Sequence, residues 1–180
     1  MSLQLIQTGK YSRVHYDPDQ DAFIKTFTPN TRDKWRYRLG IRRYPGHNFR
    51  HVARRLEALG ISTPKILSAE RYRLVTANIH GVALHDVIGN DARLQHRFVE
   101  ILVTLCRNRI HCRGLHTNNF LVADGDIVAI DLDAYKAPRF FHYSRREFID
   151  CLSRSLKGKE GFLFRNFLER LDTSEHRSQR

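Results

Sequence analysis

Short apolar runs separated by polar turns fill the start of the chain, and a three-to-four-residue apolar repeat takes over later. Leu3 to Thr8 reads as a strand. A second follows through Val14, His15 and Tyr16, and the polar turn Pro18 to Asp21 leads into a third, Ala22 to Phe27. Pro29-Asn30-Thr31 breaks that strand and offers a helix cap. Pro45 to Asn48 reads as a turn. Phe49, Val52, Ala53, Leu56 and Leu59 then recur at helical spacing, with Gly60 to close the helix. Ile61 to Leu67 and Tyr72 to Ala77 return as strands. Asp91 caps a long amphipathic helix marked by Leu94, Phe98, Ile101, Leu102, Leu105 and Cys106. Ser144-Arg145-Arg146-Glu147 is a capping box for a helix carrying Phe148, Leu152 and Leu156. After a turn at Gly158 to Gly161, Phe164, Phe167, Leu168 and Leu171 mark a last helix, and the polar tail from Thr173 reads as frayed. Strands first and helices later predict an α+β fold.

One stretch carries most of the chemistry. Phe120 to Ala123 and Ile127 to Ile130 flank Asp124-Gly125, a dipeptide suited to a type I′ turn because both central residues need positive φ. The hairpin places Asn119 at its entrance and Asp131 at its exit. An amide oxygen and a carboxylate at the two mouths of one hairpin can hold Mg²⁺ between them. His111, Cys112 and His116 lie nearby, but one Cys and two His without a second pair make a weak metal signature.

Size and charge narrow the possibilities. The 180 residues suit one domain or two small lobes, and 41% hydrophobic residues can bury a core. No apolar run approaches the roughly 18 residues of a membrane span, and no signal peptide is visible at the N-terminus. Cys106, Cys112 and Cys151 fit a reducing compartment and a packing role. The net charge of +12 predicts attraction to polyanions: nucleic acid, anionic lipid headgroups or phosphorylated glycolipid. Arg32 to Tyr44 concentrates that charge, with Trp35, Tyr37 and Tyr44 set among its cations. Such a segment suits stacking on bases, seating at a lipid interface, or an amphipathic helix whose aromatics face the core.

The loop Leu115-His116-Thr117-Asn118-Asn119, the hairpin and Asp131-Leu132-Asp133 together resemble the catalytic loop and metal-binding acid of the protein-kinase-like fold. Small-molecule kinases of that fold read H-G-D-L-H-P-x-N in the loop, and I-D-x-D follows the hairpin in lipopolysaccharide core kinases. Arg113-Gly114-Leu115-His116-Thr117-Asn118-Asn119 is similar to the R-x-L-H-x-x-N form of the short toluene-tolerance-type relatives of the bacterial lipopolysaccharide kinase family. The resemblance implies a two-lobed fold. A small N-lobe of antiparallel sheet plus helix would occupy residues 1–78, and a reduced, mostly helical C-lobe residues 79–180. It implies ATP and Mg²⁺ as cofactors. Gly9 and Ser12 would be a remnant of the phosphate-covering loop, Lys25 would pair the phosphates, and Asn119 and Asp131 would hold the metal. His116 structures the loop, and Asn78 to Leu84 resembles the linker that meets adenine.

The departures are as informative. Gly114 stands five residues before Asn119, where the family has its catalytic Asp. The helical Glu that pairs the strand Lys is absent near Arg50 to Val52, which leaves Glu57 and Glu70 as substitutes. The segment after Asp133, Ala134 to Pro138, replaces the long activation segment of kinases that act on proteins. Loss of the Asp leaves His116 or Asp133 as proton acceptor.

Three functions follow. The first is an ATP- and Mg-dependent phosphotransferase acting on a sugar or glycolipid hydroxyl. Its acceptor would be lipopolysaccharide core or another anionic glycolipid, in the cytoplasm or peripheral at the inner membrane. The second is a catalytically impaired, pseudokinase-type nucleotide-binding or regulatory protein. The third, ranked last, is a basic nucleic-acid-binding domain.

Overall fold

The structure is a computed structural model, and it describes residues 3–112, 114–136 and 144–178. The chain opens with β1 (Gln4–Thr8), β2 (Ser12–Asp17) and β3 (Ala22–Phe27). Helices α1 (Thr31–Arg38) and α2 (Pro45–Glu57) follow, then β4 (Ile66–Ala69) and β5 (Arg73–Ala77). These strands make an antiparallel sheet in the order β1-β2-β3-β5-β4. In its register Lys25 sits between Val14 of β2 and Leu74 of β5. Alternation along β3 puts Lys25 and Phe27 on the face that meets α2 and the rest of the molecule. Ala22, Ile24 and Val75 form a small separate cluster on the other face.

The structure revises two expectations here. Pro45 to Asn48 is the first turn of α2, not a loop before it. Proline is tolerated at the first helical position because its missing N–H would have no partner there anyway. Gly46 lets this turn lie flat on the β4–β5 connection, where a Cβ would run into the carbonyl oxygens of Glu70 and Arg73. The strand expected at Ile61 to Leu67 starts only at Ile66. Pro64 has no N–H to give a ladder, and Ser62 instead bridges to Val128 in parallel.

The second lobe holds β6 (Val82–Ala83), α3 (Leu84–Val87), α4 (Ala92–Arg107), β7 (His111–Cys112), β8 (Phe120–Ala123) and β9 (Asp126–Ala129). It ends with β10 (Tyr135–Lys136), α5 (Arg145–Ser155) and α6 (Gly161–Ser178). The caps fall as expected. Asp91 accepts from the Leu94 amide at 3.0 Å, and Ser144 and Glu147 form the reciprocal box. The helix α6 continues to Ser178, five residues past Thr173 into the polar tail. The Thr173 hydroxyl donates to the Glu169 carbonyl one turn back, which holds that turn together.

One continuous apolar core joins the lobes, from Phe27, Phe49 and Leu56 through Phe98, Leu102 and Phe120 to Phe167 and Leu171. Phe98 of α4 is fully buried and meets Phe120 of β8 edge to face, ring centres 5.0 Å apart. That contact seats the hairpin on the helix. Removing it as Phe98→Ala would cost about 3–5 kcal/mol.

Candidate functional site

The site is built where β3 faces the exit of the β8–β9 hairpin. Asp124 and Gly125 both take positive φ, 50° and 77°, as the turn requires. The register Phe120↔Ala129 brings the strand ends together, and the Ile130 amide donates to the Asn119 carbonyl at 2.9 Å. Asn119 and Asp131 therefore flank one hydrogen-bonded mouth. Asp131 itself is left-handed, φ 55° and ψ 38°. A non-glycine residue held there stores roughly 1–3 kcal/mol of strain, which is common at functional sites.

Lys25 closes on this mouth. Its Nζ lies 2.7 Å from Asp133 Oδ1 and 3.0 Å from Asp131 Oδ1. The Lys25 side chain is 15% exposed, that of Asp133 22% and that of Asp131 50%. Burial pulls the Lys25 pKa down. The charges of Asp133 and Asp131, with their hydrogen bonds, outweigh it and hold the ammonium above the ordinary lysine range. One ammonium against two carboxylates leaves a net negative charge, and the more exposed carboxylate, Asp131, faces outward.

These contacts replace the expected pairing of Lys25 with Glu57 or Glu70. Glu57 accepts from the Thr63 hydroxyl at 2.7 Å, and Glu70 lies beside Arg73 at 3.8 Å, so neither meets Lys25. Arg50, in the register where a helical Glu would stand, donates to the Ala69 carbonyl. No acid is offered from α2, and the ammonium settles on the two aspartates after the hairpin.

Asn119 Nδ2 donates to the Gly114 carbonyl at 2.8 Å, which turns its Oδ1 away from that contact. Gly114 has φ 92°, where an L side chain is strained. A Cβ built on Gly114 would stand 3.4 Å from His116 Nε2 and 4.0 Å from Asn119 Nδ2. The His116 ring thus occupies the edge of the space that a side chain at 114 would enter. Its Nδ1 is buried without a hydrogen-bond partner among the described residues.

Thr117 was not singled out by the sequence, yet it is fully buried in the loop. Its hydroxyl donates to Glu160, and His85 Nδ1 lies 3.1 Å from Thr117 Oγ1 and 2.9 Å from Glu160 Oε1. These three side chains fasten the loop between α3 and the start of α6. On the other side Asp126 of the hairpin accepts from Ser62 at 2.8 Å and Arg97 at 3.1 Å. Burial opposes ionisation of Asp126, but these hydrogen bonds and the Arg97 charge prevail and hold its pKa below the ordinary carboxylate range.

The remaining expected residues bond to partners other than Asp131 and Asp133. Gly9 donates its amide to the Ser12 carbonyl at 2.8 Å, and Ser12 pairs with Phe27 at the end of β3, two residues beyond Lys25. This closes the β1–β2 turn tightly. The linker is tied to the sheet: Asn78 and His80 both bond Asp21, at 3.0 and 2.6 Å, and Tyr16 donates to the same carboxylate at 2.7 Å. The Tyr16, Asn78 and His80 contacts hold the Asp21 pKa low. Arg113 and residues 137–143, which include the end of the shortened segment after Asp133, lie outside the described residues.

No three His, Cys, Asp or Glu side chains converge on a metal position among the described residues. His111, Cys112 and His116 therefore form no such cluster. The Cys112 thiol is pushed up by burial and stays protonated. Asn119 and the two aspartates offer hard oxygen donors, and the excess negative charge suits a small divalent cation. The residues present fit Mg²⁺ with few protein ligands. A cavity of about 510 Å³ opens beside Gly114, lined also by His111, Glu147, Asp150, Cys151 and Arg154.

Comparison with solved structures supplies the fold. The chain superposes on aminoglycoside phosphotransferase APH(2'')-Ib with ADP bound at a TM-score of 0.64, with 10% identity, covering 96% of this chain and 77% of that one. The streptomycin-ATP complex of APH(2'')-IIa gives the same figures. The Rio2 kinase of Chaetomium thermophilum, in a complex with ADP, Mg²⁺ and phosphoaspartate, matches at 0.59 with 13% identity, covering 86% of this chain and 55% of that one. No protein-family model matches the sequence. No curated protein matches it either. The fold is the protein-kinase-like fold in a reduced, two-lobed form. Among the described residues no helix is long and apolar enough to cross a membrane.

Proposed function

We propose that the protein is an ATP- and Mg²⁺-dependent phosphotransferase that acts slowly on a hydroxyl of a sugar or glycolipid, of the lipopolysaccharide-kinase type. The observation that carries the reading is the closure of Lys25 onto Asp131 and Asp133 across more than a hundred residues of sequence. Its neighbours in fold include ADP- and ATP-bound phosphotransferases, which supports the nucleotide.

Each residue then has a task. The Lys25 ammonium, held charged by its two acids, would bind phosphate oxygens. Asn119 Oδ1 and the outward oxygen of Asp131 would hold Mg²⁺, while Asp133 keeps Lys25 in place. Mg²⁺, when bound, neutralises charge on the transferring phosphoryl group. Gly9 and Ser12 would bound the phosphate side. The cavity beside Gly114, with Glu147, Asp150 and Arg154 on its wall, offers hydrogen-bond partners to a hydroxyl-rich acceptor.

The proton acceptor is the weak part. A well-placed base is worth about 10²–10⁴-fold, and Gly114 offers none. Asp133 is engaged by an ammonium at 2.7 Å, which makes it a poor base. His116 Nε2 borders the empty side-chain space at 114 and is the better acceptor. No described group orients its Nδ1, so what binds at Nε2 sets the tautomer. Phosphoryl transfer depends more on positioning and charge than on the base, so a slow enzyme remains chemically sound. The absence of a carboxylate at Gly114 also favours the second reading, a nucleotide binder without transfer.

The test is phosphate transfer from ATP to lipopolysaccharide core and to simple sugars, with Lys25→Met as control. Acceptor-dependent labelling lost in the variant supports the enzyme. Mg²⁺-dependent ATP binding with no labelling of any acceptor supports the binder.

A further inference from the structure

The helix α1 has an unusual exterior. It contributes no residue to the core. Trp35 is 56% exposed, Leu39 67% and Ile41 69%, so three large apolar side chains stand in solvent within seven residues. A soluble surface rarely groups them so without a partner.

The two sides of the helix differ in kind. Asp33, Arg36 and Tyr37 turn toward the protein. Asp33 accepts from Arg36 and Arg42, both at 3.3 Å, which uses up the segment's acid. Tyr37 packs against Tyr44 and Tyr72, ring centres 5.5 and 6.3 Å away, and Arg71 covers Tyr44 at 5.1 Å. That cluster bolts the segment to the sheet. At 100° per residue, Arg32, Lys34, Trp35, Arg38 and Leu39 share the opposite half of the helix. Arg38 lies over the Trp35 ring at 5.8 Å. The outward face is therefore a tryptophan and aliphatic centre with a cationic border and no acid.

We infer that this surface, Trp35 and Leu39 on the outward face with the exposed Ile41 just past the helix end, bordered by Arg32, Lys34 and Arg38, docks on the surface of an anionic phospholipid bilayer. The charges complement the headgroups, and the apolar centre reaches the acyl boundary, as shallow amphipathic helices do. A nucleic acid would match the cations and find use for Trp35 by stacking. It would leave Leu39 and Ile41 in water, which is why the bilayer is the better partner. The inference does not depend on the nucleotide site.

Trp35 is the chain's single tryptophan, so its fluorescence reports on this surface alone. The experiment mixes the full chain with phosphatidylcholine vesicles, with and without phosphatidylglycerol. The expected result is a blue shift and quenching by brominated acyl chains with the anionic vesicles only. Leu39→Ser with Ile41→Ser should abolish the blue shift at unchanged melting temperature. Replacing Arg32, Lys34 and Arg38 by Ser should weaken cosedimentation about fivefold per charge. Unchanged emission with anionic vesicles overturns the inference. So does equal binding to neutral vesicles, or a shift produced by single-stranded oligonucleotide and not by vesicles. Transfer or nucleotide binding in solution should be the same in all these variants.

Discussion

The two sides of the hairpin mouth are finished to different degrees. On the side facing β3, Lys25, Asp131 and Asp133 meet at 3.0 Å or less, partly buried and with one carboxylate charge in excess. On the side facing α5, Gly114 presents bare backbone at φ 92° to a cavity of mixed polar and apolar lining, with His116 the nearest imidazole. In the proposed reading the first side handles nucleotide and the second handles acceptor. In that reading the contrast teaches that charge positioning can be kept where the loop offers no carboxylate at 114, because separate elements hold the two.

The sharpest way to break the contrast is to damage the finished side. Lys25→Met should lower transfer about 10²–10³-fold, the scale of losing one positioned electrostatic donor, as read by single-turnover kinetics. His116→Asn attacks the poorer side and should lower transfer by about 10²-fold, the low end for a general base, with nucleotide binding unchanged. If His116→Asn is silent, the imidazole is only structural. Introducing an acid as Gly114→Asp should destabilise the fold by about 1–2 kcal/mol without raising the rate, since the backbone there has positive φ. A gain in rate would show that the loop can relax to an ordinary catalytic form.

Most of this geometry was legible where a local signal sets it. Asp124-Gly125 announces the hairpin, and Asp91 and Ser144 announce two helix starts through caps that act over three residues. The partner of Lys25 was not legible in this way. The expected acid belonged to α2, where Arg50 faces another carbonyl, and the real partners are brought in by folding from 106 and 108 residues away. Thr117 escaped for the same reason: Glu160 and His85 reach it from other elements. Pro45 misled because proline signals a turn and a first helical residue equally well.

The smallest effect concerns the bolt behind the hairpin. The folded pKa of Asp126 lies below its unfolded value. The stability it lends is therefore present above the ordinary carboxylate range and is lost as pH falls through the folded pKa. Arg97 and Asp126 are 34% and 42% exposed, so Asp126→Asn should cost at most about 1 kcal/mol near neutrality. The difference from the wild type should vanish in acid, and melting curves across pH would read it.

The central proposal is that Lys25, Asp131 and Asp133 form a seat for Mg²⁺ and nucleotide phosphates. Thermal unfolding with and without Mg·ATP, on the wild type and on Asp131→Asn, tests it most directly. At a hundredfold excess over Kd, the wild type should gain about 5–10 °C in melting temperature, and Asp131→Asn should gain almost nothing. An equal gain in Asp131→Asn, or none in the wild type at saturating Mg·ATP, contradicts the account.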